Sequence, residues 1–76
     1  MKSIKKGDQV KSSFRSRWKG VVTKVFKNKE NVELCSVVLM LDSKGNPQKR
    51  RIIKELSTKH LSHTTIDQKY INQAWL

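Results

Sequence analysis

One segment of this chain is apolar on both of its faces. In VELCSVVLML, residues 32 to 41, the odd positions from Cys35 to Leu41 form one apolar row. Val38 and Met40 help to make the other row largely apolar as well. A strand of this kind belongs at the centre of a curled sheet. With 76 residues, the chain is expected to form one domain with a single small core.

Turn-forming residues divide the rest of the sequence into short segments that are rich in β-branched and aromatic residues. The clearest turns are NKEN at residues 28 to 31 and DSKGNP at residues 42 to 47. The pattern predicts an all-β domain, with strands at residues 9 to 14, 18 to 27, 32 to 41, 48 to 56 and 61 to 64. STKH, residues 57 to 60, is expected to form one helical turn before the last strand. Gly20 is expected to mark a β-bulge or a point where another part of the molecule approaches the backbone closely.

The last twelve residues, TIDQKYINQAWL, have a different pattern. Thr65 and Gln68 have the spacing of a capping box, and the apolar residues fall roughly along one helical face. This predicts a short C-terminal helix or ordered tail over residues 65 to 76, packed on a domain formed by residues 1 to 64. Its apolar side chains either close one end of that domain or form a docking surface for another protein or a second copy.

The segment KGDQVKSSFRSRWKGVVTKV, residues 6 to 25, resembles the KOW motif and its SH3-like relatives. In these, a Gly-Asp-x-Val strand, here beginning at Gly7, leads to a Gly-x-Val-x-x-Val strand, here beginning at Gly20. RIIKELSTKHL, residues 51 to 61, is similar to the closing segment of such barrels. The resemblance implies a small five-stranded SH3-like barrel. Because KOW-type domains occur in ribosomal proteins and transcription elongation factors, it also implies a nucleic-acid or ribonucleoprotein setting.

The charge balance is strongly basic. The chain has 17 Lys and Arg against 6 Asp and Glu, which gives a formal net charge of +11. Residues 1 to 29 carry +9 and residues 44 to 60 carry +5, whereas the apolar segment between them is acidic. Two such blocks favour a surface patch for a polyanionic partner. Thirteen of the 17 basic residues are lysine, which favours contacts to a phosphate backbone over reading of base sequence.

The two basic blocks are expected to meet if the first loop and the hairpin at residues 42 to 47 project from one face of the domain. The predicted nucleic-acid-binding residues are Lys11, Arg15, Arg17, Lys19 and Lys24 from the first block, and Lys49, Arg50, Arg51 and Lys54 from the second. The alternative is that these charges only solvate a small barrel.

Two aromatic residues, Phe14 and Trp18, lie among the arginines of the first loop. Both are candidates for stacking on exposed bases, as aromatics do in barrels that bind single strands. The alternative is core packing, which we favour for Trp18 because it shares its alternation with Val22 and Phe26. For Phe14 both interpretations stay open.

The sequence favours a binding protein over an enzyme, and we expect no cofactor. It contains no GxSxG or HExxH motif, no glycine-rich phosphate loop and no cluster of acids. His60 and His63 lack the further ligands that a structural zinc site needs, and the single Cys35 reads as a core residue, so no metal is expected. The longest apolar run is too short for a membrane span, and the basic start is not followed by the apolar region of a secretory signal. A cytoplasmic location is the expectation.

The sequence therefore predicts a non-enzymatic nucleic-acid-binding protein that contacts mainly phosphates, with low sequence specificity. DNA and RNA are both open as partners, and transcription, translation and chromosome handling are the expected settings. The alternative is a protein-interaction module that docks on an acidic surface of the transcription or translation machinery, which would also suit a virus-encoded modulator of its host.

Overall fold

The computed structural model of the chain describes residues 3 to 12 and 17 to 76. These residues form one sheet of five antiparallel strands in the order β4-β3-β2-β1-β5. The strands are β1 (Gln9–Ser12), β2 (Lys19–Lys27), β3 (Glu33–Leu41), β4 (Ile53–Ser57) and β5 (Leu61–His63). The predicted small, five-stranded all-β fold is confirmed.

The two edge strands, β4 and β5, are joined by a single 3₁₀ helix, Thr58–His60, as the sequence predicts. In a flat sheet with strands about 4.8 Å apart, the edges would be separated by about 19 Å. The four residue steps from Ser57 to Leu61 reach about 14 Å at most. The sheet therefore curls until its edges approach each other, and it takes a barrel-like shape.

The inner face of the curled sheet holds the main core. β3 contributes Cys35, Val37 and Leu39, which alternate along the strand and are almost completely buried. Other members of this core are Ile4, Val10, Trp18, Val22 and Leu61. Burial raises the pKa of the Cys35 thiol, which behaves as a small core hydrophobe. Trp18 is only 6% exposed and lies in this core, as the sequence favours.

The outer face of the sheet carries a second apolar cluster that the C-terminal tail covers. Strands β2 and β3 provide Val21, Val38, Met40 and Leu41. Ile66 from the tail is buried against them, and Tyr70, Ile71 and Trp75 pack around it. The tail therefore covers the second apolar face of β3, which the curled sheet leaves outside.

The tail consists of two 3₁₀ helices, Gln68–Tyr70 and Gln73–Trp75, and not of one continuous helix. The predicted cap at Thr65 is not used. Instead, the Asp67 side chain accepts a hydrogen bond from the backbone N–H of Lys69 at 3.2 Å. Asn72 likewise accepts one from Ala74 at 3.0 Å. Two caps this close together start two separate turns, because each side chain satisfies the amides of its own short turn.

Two register shifts between β2 and β3 change the simple alternation. Lys19 pairs with Leu41 and Gly20 with Leu39, so Met40 is an extra residue between two ladder positions. Such a bulge puts Leu41 in the outer cluster, although its odd position predicts the inner row. A second shift between Val22 and Lys24 lets Val25 pack against the inner core, where alternation predicts Phe26.

Gly20 lies where the sheet leaves no room for a side chain. A Cβ at this position would meet the Val38 carbonyl oxygen at 2.5 Å and Val37 Cγ1 at 2.6 Å. The close approach predicted at Gly20 is therefore present: β3 comes close to the Gly20 backbone, opposite the bulge.

Gly20→Ala is expected to lower the free energy of unfolding by about 2 kcal/mol or more, because a backbone oxygen cannot move aside without disturbing the β2–β3 ladder. Urea unfolding followed by circular dichroism measures the loss. Gly45→Asn is the comparison: Gly45 has a φ of 84° in open space, so this substitution adds only backbone strain, about 1 kcal/mol, and no steric contact. Equal stability of the Gly20→Ala protein and the wild type would contradict the close approach.

Candidate nucleic-acid interface

Three basic residues loop out of the sheet between β3 and β4. The backbone N–H of Gln48 donates to the Met40 carbonyl at 3.1 Å, and the N–H of Leu39 donates to the Ile52 carbonyl at 2.9 Å. Leu39 and Met40 are adjacent in β3, but their partners Ile52 and Gln48 are four positions apart in the chain that returns toward β4. The residues left outside this ladder are Lys49, Arg50 and Arg51, all of them exposed.

This arrangement corrects the predicted fourth strand, which begins at Ile53 and not at residue 48. Pro47 forms an isolated bridge with Leu41 and has no N–H with which to continue the ladder. The apparent strand pattern of QKRRIIKEL therefore conceals an excursion of the chain, and this excursion brings the basic residues to the surface.

The side chain of Asp42 organises the turn that precedes this excursion. One carboxylate oxygen of Asp42 accepts hydrogen bonds from the backbone N–H groups of Lys44 at 2.9 Å and Asn46 at 2.8 Å. This is the local bonding that makes aspartate common in turns. The turn therefore carries an exposed Lys44, which the sequence-based set of site residues omitted although it lies within the DSKGNP turn.

The strand ladder brings the two basic blocks to one end of the sheet. Lys11 of β1 lies directly opposite Lys19 of β2. Lys19 in turn pairs with Leu41, which pairs with Pro47. Both loops therefore leave the sheet at neighbouring positions. We call this surface the basic end, and its residues are Lys11, Arg17, Lys19, Lys44, Lys49 and Arg50.

Three predicted site residues lie elsewhere or are already engaged. Lys24 is in mid-strand, 5.2 Å from the centroid of the Phe26 ring, and Lys54 lies on β4 opposite Val37. The side chain of Arg51 donates through Nε to the Trp75 carbonyl at 3.1 Å, which ties the looped segment to the tail. Neither lysine belongs to the basic end, and Arg51 contributes mainly to holding the tail.

The two candidate stacking residues of the first loop have different outcomes. Trp18 is buried in the inner core, so a stacking role for it is corrected: its ring is not available to a base. Phe14, like Arg15, lies outside the described residues, and the predictions for both stay predictions. Tyr70 and Trp75 are the partly exposed aromatic residues of the tail.

Asp8 and His63 form a polar contact that joins the first turn to β5. His63 Nε2 lies 2.9 Å from Asp8 Oδ2, and the same oxygen accepts the backbone N–H of Lys5 at 2.9 Å. The hydrogen bond to His63, followed by the one to Lys5, lowers the pKa of Asp8 below its ordinary value of 3.8. Among the described residues, no group of three or more His, Cys, Asp and Glu could hold a metal ion.

Asp8→Asn is expected to destabilise the protein by about 1 kcal/mol near neutral pH, because it removes charge-assisted hydrogen bonds. A lowered native pKa means that the stabilisation is present above the unfolded value of 3.8 and is lost as pH falls through the native value. The difference in unfolding free energy between wild type and variant should therefore shrink between about pH 6 and about pH 2.

Glu30→Gln, in the exposed β2–β3 turn, is the control for losing one negative charge from a strongly basic chain. Urea unfolding at both pH values provides the comparison. A difference that does not change with pH would contradict the role given to the Asp8 carboxylate.

Comparison with protein-family models, with curated proteins and with solved structures finds no match for this chain. No helix within residues 3 to 12 and 17 to 76 is long and apolar enough to cross a membrane.

Proposed function

We propose that this protein is a non-enzymatic nucleic-acid-binding protein whose basic end contacts the phosphate backbone of DNA or RNA. The observation that carries the proposal is the excursion of residues 49 to 51 from the β3–β4 ladder, at the same end of the sheet as the paired Lys11 and Lys19. Cations from two distant parts of the sequence thus lie on one surface. Such clustering is costly in free energy unless a polyanion relieves it.

The chemistry of this surface suits phosphates better than bases. Four of its six members are lysines, which bind phosphate as hydrated point charges. Asp42, in the turn that carries Lys44, accepts two backbone hydrogen bonds within that turn and is one acid beside six cations. Contacts to phosphate position a protein on nucleic acid but carry little sequence information, so we expect low sequence specificity.

The resemblance to KOW-type domains supports the same class of partner and suggests transcription, translation or chromosome handling as the setting. The alternative, docking on an acidic protein surface, uses the same charges. A binding measurement with nucleic acid separates the two.

The first test titrates labelled duplex DNA, single-stranded DNA and duplex RNA with the protein at several salt concentrations. If five of the six basic-end residues contact phosphates, the logarithm of the binding constant for duplex DNA should fall with the logarithm of salt at a slope of about −4 to −5. Affinity should vary little among sequences of equal length. Failure to bind any of the three at low salt would overturn the proposal and favour docking on an acidic protein.

The second test reverses two charges at the basic end. Lys49→Glu with Arg50→Glu should weaken binding by about 10- to 100-fold and make the salt slope less steep by about 2, because two phosphate contacts are lost. Arg51 is left unchanged, since its bond to the Trp75 carbonyl makes it part of the fold.

Lys27→Glu with Lys29→Glu is the matched control, because it makes the same change in net charge at the β2–β3 turn, away from the basic end. This pair should weaken binding less and leave the slope nearly unchanged. Equal effects of the two pairs would show that net charge, and not the basic end, governs binding.

A further inference from the structure

An open cleft lies between the C-terminal tail and the chain that leaves β3. Its volume is about 430 Å³, within the usual range of sites for small organic molecules. Met40, Pro47 and Gln48 line it from the sheet side, and Tyr70, Ile71 and Trp75 line it from the tail. The lining is mainly apolar, with aromatic rings and a few polar groups.

The cleft borders the basic end directly. Gln48, which lines the cleft, is followed at once by the looped-out Lys49 and Arg50. Lys69 lines the cleft from the tail, with its Nζ 5.1 Å from the centroid of the Tyr70 ring. A flat apolar group in the cleft would therefore lie beside cations from both walls. An unpaired base attached to its phosphate combines these two properties.

We propose that this cleft receives an unpaired nucleobase, which stacks against Trp75 while the adjoining phosphates contact Lys49, Arg50 and Lys69. Trp75 is assigned to stacking because Lys69 already lies over the Tyr70 ring. Base–aromatic stacking tolerates any base, in keeping with low sequence specificity. This inference rests on the proposed function and adds a preference for single strands, because bases in a duplex cannot enter the cleft.

Two hydrogen bonds that hold this wall of the cleft do not involve the Trp75 side chain. Arg51 bonds to the main-chain carbonyl of Trp75, and Asn72 donates its backbone N–H to Met40 Sδ at 3.4 Å. Replacement of the indole removes the stacking surface and part of the packing on the outer cluster, but it leaves these two hydrogen bonds and the buried Ile66 to hold the tail.

The test measures the affinity of wild type, Trp75→Leu and Trp75→Phe for single-stranded and duplex DNA of equal length. Leucine keeps an apolar side chain but removes the aromatic face, so the single-strand affinity of Trp75→Leu should fall by about 5- to 150-fold, the range for loss of one stacked base. Its duplex affinity should stay within about twofold of wild type, and Trp75→Phe should keep most of the single-strand affinity. Thermal unfolding checks that both variants are folded.

Fluorescence gives a second readout that does not depend on the leucine variant. The chain has two tryptophans, and Trp18 is buried. Single-stranded DNA should quench the wild-type emission but not that of Trp75→Phe, in which only Trp18 emits.

The outcomes distinguish the inference from the proposed function. Unchanged single-strand affinity in Trp75→Leu, or no quenching in the wild type, would overturn the cleft as a base site and leave phosphate binding standing. Equal losses for single strand and duplex would also overturn it, because Trp75 would then only support the fold. Absence of any binding by the wild type would overturn the proposed function and the inference together.

Discussion

Strand β3 is the constraint on which the rest of the structure depends, because both of its faces are apolar and neither can be left in water. Burial of each large aliphatic side chain contributes about 1.5–3 kcal/mol, so covering both rows dominates the stability of so small a domain. The inner row, from Cys35 to Leu39, is covered when the sheet curls and Trp18 closes over it. The outer row, with Val38 and Met40, is covered by the tail.

This division of the apolar surface leaves the loops as the surface that the proposed nucleic-acid contact would use. The inner face of the sheet is filled with side chains, and the tail covers the outer cluster of β2 and β3. Exposed basic residues lie where the ladder breaks, at the turn containing Asp42 and at the excursion that follows Gln48. The tail has two roles in this account, since it completes the outer core and forms one wall of the cleft beside the basic end.

The sequence predicts the strand pattern and the two basic blocks because turn residues, alternation and charge are local properties. It cannot predict the bulge at Met40, since an extra residue shifts the register without changing the composition. The excursion at residues 49 to 51 cannot be predicted from the sequence for a related reason. It exists because Gln48 and Ile52 form hydrogen bonds with adjacent residues of β3, which the local pattern does not reveal. The engagement of Arg51 depends on the tail, which returns to the sheet only in three dimensions.

The central claim is that the basic end is the surface that meets nucleic acid. The most direct test is to follow the backbone amide signals of isotope-labelled protein by NMR while a short oligonucleotide is added. The account predicts the largest shifts at Lys11, Lys19, Lys44, Lys49 and Arg50, with little change in the β2–β3 turn around Glu30. Shifts centred on that turn, with the basic end unchanged, would contradict it.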